Sequence, residues 1–145
     1  MAIRRANKAD SKEIHFILNN TMELRDYGGI EEYPSRWVNA IIKDKKNNLI
    51  LVNNNKNEMR GFLIAHLLNS IKDAILNHLF VKEKYRNKGV AKELMKEYES
   101  YLIKNKFYFN LLFANKNNVS AKQFFESRGF KRGEDFSMYY KEMNN

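Results

Sequence analysis

A glycine-containing turn at the start of a long helical pattern is the part of this sequence best suited to chemistry. An apolar stretch ending at Val81 runs into a polar loop, and the loop meets the helical pattern at Gly89. The first four N–H groups of a helix lack partners within the helix, and the helix macrodipole adds about half a positive charge there. Glycine lets the backbone approach a bulky ligand, and the small side chain of Ala91 leaves the same approach open. The turn is therefore suited to binding an anion, most naturally a phosphate.

Basic residues surround this turn. They are Lys82, Lys84, Arg86, Lys88 and Lys92, with Glu83 as the only acid before the helix. Positive charges at this density repel one another unless an anion lies among them. An ordinary charged loop with a solvated first turn also explains the pattern, because short glycine motifs produce many false matches. The turn alone leaves both interpretations open.

Two amphipathic helices precede the turn in the chain. Asp10 indicates the start of the first helix, with Glu13 three residues later in the spacing of a capping box. Its apolar stripe consists of Ile14, Ile17, Leu18 and Met22, and glycines at 28 and 29 predict its end. Pro34 suits the first turn of the second helix, whose apolar face consists of Trp37, Val38, Ile41 and Ile42.

Short apolar segments separated by polar turns predict strands around these helices. A short strand at residues 2–5 comes first, and strands at 49–52, 60–68 and 74–81 follow as an antiparallel meander. The predicted turns between the last three are residues 53–57 and 69–73. The meander leads directly into the loop before Gly89 and so positions it.

The rest of the chain predicts a helix, a strand, a helix and a final strand. Helical spacing runs from Gly89 to about Lys104, and the apolar run 107–114 predicts a strand covered on both faces. Because a helix joins it to the preceding strand, the two strands form a parallel βαβ candidate. The last helix begins at the N-cap Asn118 and ends at Gly129, and residues 136–143 resemble a closing strand. The order predicts an α+β class with a mixed sheet.

Two sequence blocks resemble motifs of the GNAT superfamily of N-acetyltransferases. Arg86-Asn87-Lys88-Gly89-Val90-Ala91 is similar to the family signature Arg/Gln-x-x-Gly-x-Gly/Ala. The block from Asn117 to Phe130 resembles the later motif Asn-x-x-Ala-x-x-x-Tyr-x-x-x-Gly-Phe. The motifs occur in the family's order, and the resemblance covers residues 2–143. It implies a GNAT fold over a single domain, residues 1–145, with a mixed, mostly antiparallel sheet of about six or seven strands and about four helices.

The resemblance implies a binding site for acetyl-CoA along the strand and the turn. Backbone groups of Leu79, Phe80 and Val81 would pair with the pantetheine arm as a neighbouring strand does. Backbone N–H groups of Arg86, Asn87, Lys88, Gly89, Val90 and Ala91 would hold the diphosphate. Asn118 would meet the cofactor near its sulfur end, although an N-cap role competes for the same amide, and Lys122 would also reach the cofactor.

The implied reaction is direct attack of a neutral amine on the thioester carbonyl. Deprotonating an alkyl ammonium of pKa about 10.4 at pH 7 costs roughly 4–5 kcal/mol, part of which a general base would recover. His78, on the strand beside the thioester, is the candidate base if strand alternation turns it toward the site. Glu31 and Glu32 lie where the family shapes its acceptor pocket and would attract a cationic amine, although a solvated helix start also explains them.

One position departs from the family pattern. The tyrosine that serves many members as the acid for the leaving thiolate aligns with Phe125, which has no proton to give. Tyr139 or Tyr140, on the last predicted strand, would substitute, although packing in a sheet also explains both. A CoA-binding module with little catalysis is therefore an alternative to an active acetyltransferase.

Composition limits the other functions. The chain has 145 residues, a net charge of +9 and no cysteine, which excludes disulfides, thiolate metal sites and a cysteine nucleophile. No signal-peptide pattern and no apolar run near ~20 residues is present, so we expect a soluble, cytoplasmic protein, monomeric or homodimeric, with no metal site. The charge leaves a nucleic-acid binder as a further alternative, although no such motif is recognisable. The acceptor is predicted only as a primary amine, on a small molecule or at a protein N-terminus or lysine.

Overall fold

A mixed sheet of five strands organises the first part of the computed structural model, which describes residues 3–24 and 32–143. The strands are β1 (Ile3–Arg5), β2 (Asn48–Asn55), β3 (Glu58–Leu68), β4 (Asp73–Val81) and β5 (Phe109–Leu112). They lie side by side in chain order. Within the same ranges the α-helices are α1 (Ser11–Asn20), α2 (Ser35–Lys43), α3 (Val90–Lys104) and α4 (Val119–Ser127).

The strand pairing confirms the predicted α+β class. β1 to β4 pair antiparallel, whereas β5 pairs parallel with β4. The crossover between β4 and β5 is α3, as the βαβ prediction required. The parallel ladder is short and runs from Asp73 opposite Phe109 to Leu76 opposite Leu112.

Apolar side chains pack against both faces of the sheet. On one face α1 and α2 bury their stripes against alternate residues of β2 and β3, including Ile50, Val52, Phe62 and Ile64. On the other face α3 buries Val90, Leu94, Met95, Tyr98 and Leu102. The Tyr98 hydroxyl donates to Asn110 Oδ1 at 2.8 Å, and burial raises the pKa of that hydroxyl. This hydrogen bond ties α3 to β5 and holds the parallel strand in register.

The start and the end of the first helix differ from the prediction. The Asp10 side chain does not cap α1, because it bonds to residues that precede it in the chain. Its carboxylate accepts the Asn7 N–H at 2.7 Å and two hydrogen bonds from Arg4 at 2.7 and 3.0 Å. The capping box therefore joins Asn7 and Asp10, and Glu13 forms an ion pair with Lys82 instead. α1 ends at Asn20, and Met22 is exposed because it lies beyond the last helical turn.

Several strand predictions also require correction. The turn between β2 and β3 is shorter than the predicted 53–57, because β2 continues to Asn55 and only Lys56 and Asn57 form the turn, with Lys56 at φ 51°. β5 is not covered on both faces, since Phe109 and Leu111 are exposed. Residues 136–143 form no strand, so the described residues contain five strands and not six or seven. Strand-like composition is not sufficient, because a strand also needs a neighbour to pair with.

The chain divides into two compact units, Met1–Leu112 and Phe113–Asn145. In the second unit, α4 follows the predicted N-cap Asn118 and ends at Ser127, and Gly129 comes after the C-cap with a φ of 93°, the left-handed conformation of a C′ glycine. No helix in the described part of the chain has the length and apolar character needed to span a bilayer.

Candidate active site

One edge of β4 is open over its second half. The parallel ladder with β5 ends at Leu76, whereas β4 continues to Val81 and pairs with β3 on its other side. From Asn77 to Val81, no strand among the described residues pairs with the β5-facing edge. An extended ligand with amide groups can add to such an edge as a strand would. The three residues predicted to hold a pantetheine arm, Leu79, Phe80 and Val81, all lie here.

A β-bulge lies where this edge opens. The register of β3 with β4 passes from Ile64 opposite His78 to Ala65 opposite Leu76, which leaves Asn77 without an opposite residue. A bulge re-aims the backbone groups beside it. The irregular backbone lies beside the open edge, because the ladder of β4 with β5 ends at Leu76, one residue before Asn77.

The turn after β4 presents backbone N–H groups. Asn87 and Gly89 adopt φ angles of 61° and 83°, and α3 begins directly afterwards. No described residue accepts a hydrogen bond from the N–H groups between Asn87 and Ala91. Arg86 differs from the prediction, because its N–H donates to the Glu83 carbonyl at 3.2 Å. The amides that remain for an anion are therefore those of residues 87–91.

Conformation is the structural reason for glycine at position 89. No atom lies within 4 Å of the position that a Cβ would occupy there, so crowding by the chain does not require glycine. The φ of 83° does, because it lies in the left-handed region that L side chains rarely adopt. The same open space is compatible with the close approach of a diphosphate.

The basic residues around the turn are not equivalent. Lys82 pairs with Glu13 at 2.7 Å, and Lys84 pairs with Glu58 at 2.7 Å. The Tyr85 hydroxyl also donates to Glu58 at 2.6 Å, and the hydrogen bonds from Lys84 and Tyr85 lower the pKa of Glu58. Mutual repulsion among the lysines, expected from the sequence, is therefore relieved by the protein's own carboxylates.

Three basic residues face a different environment. Arg86 donates through Nε to the Val81 carbonyl at 3.0 Å, which fastens the turn to the end of β4. Lys88 and Lys92 are exposed and form no ion pair among the described residues. Because a backbone carbonyl is neutral, the positive charge that no carboxylate of the described residues pairs at this turn is that of Arg86, Lys88 and Lys92.

His78 lies on the face of the sheet that α1 and α2 cover. Its Nε2 is 2.8 Å from the Tyr33 hydroxyl, which donates to the Leu24 carbonyl at 3.1 Å. A hydroxyl has one proton, and that of Tyr33 is directed to the Leu24 carbonyl, so the His78 Nε2–H is assigned as the donor to the Tyr33 oxygen. The imidazole is 4% exposed and lies edge-on to the rings of Tyr33 and Trp37. Strand alternation therefore turns His78 toward the helices that form the predicted acceptor side.

Tyr33, which sequence reasoning missed, is anchored to α1. Asn19 accepts the Tyr33 N–H at 2.8 Å and donates to its carbonyl at 3.0 Å, and His15 Nε2 is 2.9 Å from the same carbonyl. No short-range pattern connects residues so far apart in the chain. Of the predicted acceptor carboxylates, Glu32 is exposed, and Glu31 lies outside the described residues.

In the second unit, Asn118 acts as the cap of α4. Its Oδ1 accepts the Ala121 N–H at 3.1 Å and the Ser120 hydroxyl at 3.2 Å. No described residue accepts from its Nδ2, so the cap and a ligand would use different atoms of one amide. The Lys122 ammonium donates to the Lys116 carbonyl at 3.3 Å.

Phe125, at the position of the family tyrosine, and the two tyrosines that could replace that tyrosine as the acid lie in the same unit. Phe125 packs edge-on against Phe124 and Phe130, with ring centroids 5.2 and 5.5 Å apart. Tyr139 is 92% exposed and Tyr140 is also exposed, both in a segment without regular secondary structure. A catalytic role for Tyr139 stays a prediction.

Comparisons with known proteins support one family. A sequence model described as “Acetyltransferase (GNAT) domain” matches residues 29–137 and so crosses the boundary between the two units. A comparison with curated proteins finds no match.

Solved structures with a similar fold include a possible acetyltransferase from Clostridium difficile 630, with 20% identity and a TM-score of 0.79 over 99% of this chain and 97% of that chain. AAC(6′)-Iy in complex with the bisubstrate analog CoA-S-monomethyl-acetylneamine shares 17% identity, with a TM-score of 0.76 over 97% of each chain. The ribosomal-protein-S18-alanine N-acetyltransferase from Escherichia coli shares 17% identity, with a TM-score of 0.72 over 91% of this chain and 78% of that chain. At these identities the likeness is one of fold.

Proposed function

As a member of the GNAT acetyltransferase family this chain is an acyltransferase, and we propose that it transfers the acetyl group of acetyl-CoA to a primary amine. The acceptor amine belongs to a small molecule, a protein N-terminus or a lysine. The family match extends across both units, which supports a single acetyltransferase domain over residues 1–145.

One observation carries this proposal: an open strand edge runs directly into a turn whose amides have no acceptor among the described residues. The edge spans Asn77 to Val81, and the amides belong to residues 87–91. Amide groups along pantetheine match the first feature, and a diphosphate matches the second. Lys88 and Lys92 add unpaired positive charge at the phosphate end.

In the proposed reaction the amine nitrogen forms a bond to the thioester carbonyl carbon, and the carbon–sulfur bond breaks. A backbone N–H beside the bulge at Asn77 stabilises the developing oxyanion. Before the attack, His78 takes one proton from the ammonium, directly or through one water, while Tyr33 holds its tautomer, so that the neutral amine is the nucleophile. The thiolate leaves and takes a proton from water or from Tyr139, because Phe125 has none to give. The second proton of the nitrogen returns to that donor as the amide forms.

The test is a thiol-release assay with acetyl-CoA over a panel of amines. The panel contains aminoglycosides and alanine peptides, because acetyltransferases of similar fold are named for an aminoglycoside and for the alanine of a ribosomal protein. Lysine peptides are added because a lysine is the remaining acceptor in the proposal. We expect release above the hydrolytic background with at least one of these amines. Isothermal titration with CoA supplies the independent measurement.

A second candidate function is a CoA-binding module with little catalysis, which Phe125 favours. CoA binding without thiol release for every amine would support it over the enzyme. The absence of both CoA binding and thiol release would contradict the proposed function altogether.

A further inference from the structure

A polar network connects the first turn of α3 to the sheet behind it. Asn53 of β2 is fully buried, and its Nδ2 donates to Glu93 Oε2 at 2.9 Å. The other end of the same amide, Oδ1, accepts from Arg60 Nε at 2.7 Å. Arg60 also lies 3.7 Å from that Glu93 oxygen, so the three side chains form a closed triangle.

The triangle lies where the pairing of β2 with β3 is irregular. The register of β2 with β3 passes from Asn53 opposite Gly61 to Asn54 opposite Met59, so Arg60 is the extra residue of a β-bulge in β3. Bulges bend a strand and re-aim its side chains. A buried amide with both ends hydrogen-bonded is costly to disturb, because the loss of one partner leaves a desolvated polar atom.

Glu93 connects this triangle to the turn that carries the free amides. Its N–H donates to the Gly89 carbonyl at 2.9 Å, and its side chain reaches Asn53 and Arg60. Val90, in the same helical turn, contributes an apolar contact near the backbone at Gly61. Apolar packing alone restrains the rotation of a helix end less well than directional hydrogen bonds.

We propose that Asn53, Arg60 and Glu93 form a positioning bridge, which sets the first turn of α3 against the sheet and so fixes the diphosphate-binding amides relative to the open edge of β4. This inference rests on the proposed function. The three residues are positioning residues, because none of them lies in residues 87–91 or in the open edge of β4, the two segments that would contact the cofactor.

If the bridge positions the turn, removal of the Glu93 carboxylate should weaken acetyl-CoA binding, whereas the change in charge alone would strengthen it. Removal of the Glu93 carboxylate deletes a negative charge near the diphosphate site. At about 10 Å in water, that change alone would tighten CoA binding roughly two- to fourfold. Misplacement of binding groups by about 1 Å costs up to ~100-fold. We therefore expect Glu93→Ala and Asn53→Leu to raise KM for acetyl-CoA by about 10- to 100-fold.

The experiment compares these variants with the wild type and with Glu97→Ala, which removes a carboxylate one turn further along α3. For both bridge variants we expect kcat at saturating acetyl-CoA to stay within about twofold. We also expect kcat/KM for S-acetylpantetheine, which lacks the diphosphate, to be unchanged. The double variant should resemble either single variant, since each breaks the same bridge. Thermal melting of every variant checks that the chain is folded.

Three results would overturn the bridge: an unchanged or lower KM for acetyl-CoA, an equal loss with both acyl donors, or an effect matched by Glu97→Ala. The wild type is titrated with CoA first. If the wild type neither binds CoA nor turns it over, the proposed function fails and the bridge fails with it. If the wild type binds CoA and the variants match it, the bridge alone is wrong.

Discussion

Replacement of Gly61 by alanine should disrupt the junction of β3, β4 and α3. A Cβ at position 61 would overlap the Phe80 carbonyl oxygen, and it would lie 3.2 Å from Val81 Cα and 3.3 Å from Val90 Cγ1. Two of these neighbours are backbone atoms of β4 and cannot rotate away. The displaced atoms belong to the segment of β4 whose opposite edge is proposed to hold pantetheine.

The size of the effect follows from two opposing contributions. Overpacking of a well-packed site costs about 1–3 kcal/mol. Alanine restricts the unfolded chain and so returns about 0.4–1 kcal/mol. The net loss in the free energy of unfolding should therefore be roughly 1–2 kcal/mol. A shift of the Phe80 carbonyl should also raise KM for acetyl-CoA.

Two other glycines provide matched controls. The free energy of unfolding of each variant is measured in urea, and its slope against urea concentration should be the same for all of them. Gly89→Ala meets open space but must adopt a φ of 83°, so it should lose about 1–2 kcal/mol through backbone strain. Gly133→Ala has neither a close neighbour nor a left-handed φ, so its stability should stay within about 0.5 kcal/mol. If Gly61→Ala were as stable as Gly133→Ala, the argument from close approach would be refuted.

Three further predictions concern single side chains. Burial raises the pKa of Asp10, but hydrogen bonds from Arg4 and from the Asn7 N–H lower it further, so the net pKa is below its ordinary value. Asp10→Asn should therefore lower the free energy of unfolding by about 1–3 kcal/mol above pH ~4. In urea unfolding, the difference between wild type and variant should shrink as the pH falls through the lowered pKa. A difference that stays constant with pH would contradict this. His78→Gln should lower kcat by about 10²–10⁴ and flatten its rise with pH, whereas an unchanged pH profile would remove His78 as the base. Asn118→Ser keeps a cap oxygen but lacks Nδ2. The free energy of unfolding should therefore stay within about 0.5 kcal/mol of wild type, while KM for acetyl-CoA rises about tenfold. An unchanged KM would mean that Asn118 acts only as a cap.

Local patterns in the sequence predicted most of the fold. The apolar face of α2, the long amphipathic α3 and the cap of α4 at Asn118 depend on residues three or four positions apart, and all three are confirmed. The βαβ unit followed from a helix between two strand patterns, and the parallel pairing of β4 with β5 confirms it. The predicted strand at 136–143 was wrong, because composition indicates a tendency to extend but not a partner to pair with.

For the candidate site, the sequence predicted the backbone turn but not the partners of the side chains around it. The turn at Gly89 follows from one glycine before a helical pattern, and its free amides follow from helix geometry. By contrast, the partners of Lys84 and His78 are Glu58 and Tyr33, which are distant in the chain. No periodicity reports such pairs, since side chains far apart in sequence meet only when the sheet and helices pack.

The sequence by itself predicted the turn at which an anion could bind, because helix starts, glycines and apolar periods are properties of neighbouring residues. Tertiary structure decided which charges remain for that anion and how the turn is held. Glu13 and Glu58 neutralise two of the nearby lysines, and the contact of Asn53 with Glu93 ties the turn to the sheet. These outcomes depend on register, on a bulge and on the direction of each strand, which exist only after distant segments have come together.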